Sequence, residues 1–121
     1  MKTLKLMGLV ATAIVSISAT ALAAYTDTDY IIIGKLEASS SSSNGFRVYP
    51  AAGYSIPEVS PCTKRDFAEM QSSGPTAAEK DMMARQLQAA FFGTRKVKLR
   101  LDGCGVNDRP AYRIVTLDQA Q

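Results

Sequence analysis

The groups in this chain best suited to chemistry are two cysteines, Cys62 and Cys104, and eleven carboxylates; histidine is absent. Without an imidazole the usual proton carrier near neutral pH is missing, which excludes histidine-dependent serine or cysteine hydrolysis. The cysteines lie far apart in sequence and not as a Cys-x-x-Cys pair, so redox catalysis lacks its usual spacing. They read as one structural disulfide, Cys62 to Cys104, which also removes both thiolates from zinc chemistry. Paired carboxylates could still run acid–base chemistry on a sugar. Asp102 and Asp108 flank Cys104, and Asp27 and Asp29 stand near the expected mature start. Both pairs occupy loop or strand-edge sequence where acids are simply solvated, so a carboxylate-based glycosidase is the least favoured reading. Asp27-x-Asp29 lacks the later ligands of a calcium loop, and no glycine-rich phosphate cradle is present. No enzyme activity, metal or cofactor is therefore expected, and binding remains. Flat rings with a polar tip suit sugars and peptides, and the chain has five tyrosines. Tyr25, ahead of the first strand, and Tyr54, in a proline-bounded loop, are the two expected at the surface as ligand-binding candidates.

The compartment follows from the first residues. Met1 to Lys5 is a short basic start, Leu6 to Ile17 is almost wholly apolar, and Ala21-Leu22-Ala23 offers a small-x-small cleavage pattern. This is the layout of a secretory signal peptide. Residues 1–23 are accordingly expected to be removed near Ala23, leaving residues 24–121 as one secreted or periplasmic domain. No later stretch is long and apolar enough to span a bilayer, since the longest aliphatic run is Ile31-Ile32-Ile33. The net charge of +3 includes Lys2 and Lys5 of the leader. Without them 12 basic residues face 11 acidic ones, and a near-neutral chain gives no reason to expect nucleic-acid binding. Lys98 and Arg100 alternate with Val97, Leu99 and Leu101, the pattern of a strand's wet face.

The positioning elements are short strands around one helix. Asp29 to Glu37 reads as a first strand, with Gly34 marking a bulge or close approach. Ser39 to Ser43 with Asn44-Gly45 is a polar turn that returns the chain antiparallel through Gly45 to Tyr49, where Pro50 ends the strand. Thr76-Ala77-Ala78-Glu79 is a capping box, and Met83, Leu87, Ala90 and Phe91 recur at helical spacing. Gly93 is expected to supply the left-handed residue that closes the helix. A second, shorter helix is predicted over 63–70, where Phe67 and Met70 are three apart. Strands follow at Val97 to Leu101 and Tyr112 to Leu117, giving an α+β domain whose sheet is largely antiparallel.

From the helix onward the chain has a recognisable cadence. Leu87-Gln88-Ala89-Ala90-Phe91-Phe92 runs into Val97-Lys98-Leu99-Arg100-Leu101, then Gly103-Cys104-Gly105 and Arg109-Pro110-Ala111-Tyr112. This stretch resembles the B subunits of subtilase-cytotoxin-like bacterial toxins and related exported proteins. The resemblance implies a small curled sheet or antiparallel β-barrel of the oligonucleotide/oligosaccharide-binding (OB) type with one central α-helix. It also implies glycan binding, assembly into a homo-oligomeric ring of five, and an enzymatic partner subunit. The family's sugar-contacting residues are not matched to positions here and Ser39 to Ser43 departs from its pattern, so no glycan site is carried over. The competing expectation is a periplasmic protein-interaction domain, such as a hydrolase inhibitor, acting through loops Gly53 to Ser60 or Gly103 to Asp108.

Overall fold

The computed structural model describes residues 25–38 and 45–118. The leader and the serine turn over 39–44 lie outside them. In chain order the elements are β1 (Thr26–Asp27), β2 (Ile33–Ala38), β3 (Phe46–Pro50), β4 (Glu69–Met70), α1 (Ala77–Gly93), β5 (Val97–Cys104) and β6 (Pro110–Leu117). This is an α+β arrangement with one helix among the described residues.

β5 and β6 form the longest ladder because alternation gives β5 a continuous inner row: Val97, Leu99 and Leu101 are all but inaccessible. β1 adds antiparallel to the outer side of β5, and β4 pairs parallel with β6, so the four-stranded sheet runs β1-β5-β6-β4. β2 and β3 form a separate antiparallel pair, as the turn chemistry between them predicts. Gly34 sits where the β2–β3 register shifts, and a Cβ there would come within 2.8 Å of the Ala51 Cα. That is the close approach expected of this glycine.

Two isolated bridges tie the sheets together. Ile31 meets Val97, and Val48 meets Ala68, both antiparallel. Pairing thus passes from β2 to β3, on to β4, across to β6 and β5, and back to Ile31. Among the described residues these strands do not close into a barrel; at two places the circuit is a single bridge wide.

The helix begins at its capping box. The Glu79 amide donates to the Thr76 hydroxyl at 3.2 Å and the Thr76 amide to the Glu79 carboxylate at 2.8 Å. Met83, Leu87 and Ala90 turn inward, whereas Phe91 stays 36% exposed at the margin of the stripe. The left-handed closing residue is Thr94 and not Gly93: its φ is 51°, and its amide donates to the Ala90 and Phe91 carbonyls. One more residue thereby joins the helix before the chain turns.

The region over 63–70 is not helical. Ala68 bridges Val48, and Glu69 and Met70 pair with Ala111 and Tyr112. Phe67 and Met70 are both buried, as their spacing suggests, but on extended backbone stretched between β3 and β6. The core gathers Ile31, Val48, Ile56, Leu87, Leu99 and Tyr112, the last donating its hydroxyl to the Phe46 carbonyl at 2.7 Å. Burial alone pushes the Tyr112 phenol far up.

Cys62 and Cys104 are joined, 42 residues apart in sequence. No helix among the described residues is long and apolar enough to cross a membrane.

Candidate functional site

Alternation on β5 turns Lys98, Arg100 and Asp102 away from the core. Register puts Lys98 beside Thr116 and Arg100 between Asp27 and Ile114. These side chains and the chain entering β1 form a face of the sheet that no other element among the described residues covers. Tyr25, predicted at the surface, lies here and is 46% exposed. The Arg100 and Arg113 guanidinium groups each lie 5.6 Å from its ring centre, and Arg113 also donates to the Tyr25 hydroxyl at 3.4 Å.

The arginines are held from behind. Asp27 accepts a two-pronged pair of hydrogen bonds from Arg100 at 2.9 and 3.1 Å. That bond holds the Asp27 carboxyl below the ordinary carboxylate range and raises the Arg100 guanidinium. Asp102 accepts from Gln71 at 3.3 Å and from Arg113 at 3.4 Å. Farther along the face, the Lys98 ammonium lies 4.8 Å above the ring of Tyr30, which is also exposed. Asp27, Lys98, Arg100, Ile114 and Thr116 line a hollow on this face. The result is a surface of guanidinium forks and a hydroxyl on β5 and β6, flanked by two rings on the chain around β1. Such a surface can stack on a ligand and hydrogen-bond its rim.

Tyr54 does not join it. Its ring is partly buried against the core and its amide donates to the Ala51 carbonyl at 3.0 Å, so the proline-bounded loop folds it inward. Nor do Asp102 and Asp108 form a pair: Asp108 accepts from the Thr63 amide and hydroxyl and shares no partner with Asp102. The Thr63 bonds hold Asp108 below the ordinary carboxylate range. General-acid work on a glycoside needs the opposite displacement.

A second cluster was not foreseen. Phe67 is buried between the Arg109 and Arg47 guanidinium groups, at 4.4 and 4.9 Å, with Tyr49 tilted against it at 5.0 Å. Asp66 binds Arg109 at 2.8 Å and Glu37 binds Arg47 at 3.2 Å, so each cation is already matched. Beneath this stack the Glu69 side chain is 1% exposed and its carboxylate accepts from the Asn107 amide. A Cβ on Gly105 would overlap that carboxylate, so the absence of a side chain at Gly105 is what lets the loop after β5 close over it. These contacts fasten the β5–β6 loop to β4. The sequence hid them because Glu69 fell inside the segment read as helix.

No protein-family model, no curated protein and no solved structure matches the chain.

Proposed function

We propose that this chain is an exported, non-enzymatic binding domain that takes a glycan on the open face around Tyr25. The observation carrying the proposal is an exposed tyrosine ring beside two arginines that are themselves paired with Asp27 and Asp102. Preorganised rings and forks lower the ordering cost of binding. The basic–apolar start and the Ala21-Leu22-Ala23 pattern support export, and the Cys62–Cys104 bridge fits an oxidising destination.

An OB-type fold is part of the proposal. Its support is the pairing circuit: counting β1 and β2 as one long strand, five strands follow one another, β4 lies parallel to β6, and α1 falls between β4 and β5. A partly open five-stranded barrel has this character. The resemblance of the segment from α1 onward to toxin B subunits points the same way and suggests an acidic glycan, which the arginines would suit.

Retention on an array of neutral and acidic glycans tests the function. The unmodified protein is expected to bind at least one acidic structure. Tyr25→Ala should weaken that binding by at least about tenfold while leaving the melting temperature nearly unchanged, as an exposed ring contributes little to the core. No retained glycan, or retention indifferent to Tyr25→Ala, overturns the proposal.

One observation favours a protein ligand instead. Val106 is 65% exposed at the tip of the loop held by the disulfide and Glu69, an apolar residue on a rigid projection such as inhibitor loops use. Capture of a purified hydrolase that Val106→Asp abolishes and Tyr25→Ala spares would favour that reading.

A further inference from the structure

The helix has a second apolar stripe, on the side opposite the core. Ala78, Met82, Arg85, Ala89 and Phe92 follow one another at alternating steps of four and three residues, and all five are exposed. At 3.6 residues per turn they fall within an arc of about 80°, roughly opposite Met83, Leu87 and Ala90. Phe92 is 80% exposed and Met82 66%, among the largest apolar exposures described. Such a four–three stripe is the spacing of a helix–helix seam.

The stripe fits itself. When a second copy of the helix is laid antiparallel across it about Arg85, Ala78 faces Phe92 of the other copy and Met82 faces its Ala89. Each large side chain then meets a small one at all four places, the condition for close packing between facing helices. At the centre each Arg85 brings its own counter-charge, since its guanidinium is 2.8 Å from Asp81. Four charges of alternating sign thus meet on the axis and sum to zero. A lone polar position inside an apolar seam is a recognised means of fixing register.

We infer that this helix face is the contact of a twofold homodimer, its helices antiparallel and centred on Arg85, in place of the ring of five that the resemblance implies. The two copies use the same patch, which closes the assembly at two. A helix about 25 Å long provides only a small interface, so dimerisation belongs at micromolar concentration. The binding face on β1, β5 and β6 is not consumed by this contact, and the inference does not depend on what that face binds.

Sedimentation of the purified protein from roughly 1 to 300 µM should show a monomer–dimer equilibrium in the small-interface range. Phe92→Glu removes two apolar contacts per dimer and should raise the dissociation constant by at least about tenfold with an unchanged circular dichroism spectrum. Register is read separately by mild oxidation. Arg85→Cys places two thiols on the axis and should crosslink, whereas Met82→Cys places them about 9 Å apart along the axis and should not. The inference is overturned by a monomer throughout that range, by a mass of five protomers, or by a dimer indifferent to Phe92→Glu. Crosslinking of Met82→Cys as readily as Arg85→Cys overturns it too, as does finding the stripe occupied by the protein's own leader or by a different protein.

Discussion

Asp66 shows how single residues set the acid stability of this domain. Its carboxyl is held below the ordinary range chiefly by the hydrogen bond from Arg109, as Asp27 is by Arg100, Glu37 by Tyr49 and Asp108 by Thr63. Groups displaced downward in the fold contribute fully above the ordinary carboxylate value of about 4, and that contribution fades as pH falls through their lower folded values. With no histidine in the chain, stability should be nearly flat between about pH 5 and 8 and decline below about pH 4. Denaturant midpoints across that range check this, and Asp66→Asn should flatten the acid limb. A strong midpoint change between pH 6 and 7 would contradict it. The disulfide was legible at this scale because two cysteines allow one pairing. Glu69 was not, since only the folded loop reveals that Gly105 and Asn107 close over it.

Elements with a chemical signal at their ends were the legible ones. The capping box at Thr76 fixed the start of α1, and alternation fixed the inner row of β5. The segment over 63–70 was misread because a three-residue spacing of Phe67 and Met70 arises equally in buried extended chain. What decides is the partner strand, β6, some 40 residues later. The helix end shifted by one residue for a local reason: with Thr94 in the left-handed conformation the Arg95 amide turns back to the Ala90 carbonyl at 2.9 Å. That conformation costs a residue with a Cβ on the order of 1 kcal/mol. Thr94→Gly should therefore stabilise the domain by up to about 1 kcal/mol, offset in part by the unfolded glycine's extra freedom. Chemical denaturation reads it directly; a loss of stability would mean that the threonine side chain supports the turn.

For the whole molecule the bridge between Cys62 and Cys104 is the main covalent restraint. Closing 42 residues limits the unfolded chain and should stabilise by roughly 3 to 4 kcal/mol. In a domain of this size Cys62→Ala with Cys104→Ala should lower the Tm by about 15 °C or more. A Tm within a few degrees of the parent would show that the strand pairings suffice alone. The pairing circuit itself was beyond the sequence, which signals the local β2–β3 and β5–β6 hairpins but not the bridges that join distant strands.

Asp27 and Arg100 are 73 residues apart, yet they stand side by side under the candidate binding surface. A ribosome releases Asp27 well before Arg100. Tyr25 therefore waits, without its flanking cations, until β5 and β6 have been made. A product truncated before β5 would carry the tyrosine without the arginines of the candidate surface, and nascent fragments should not bind the proposed glycan.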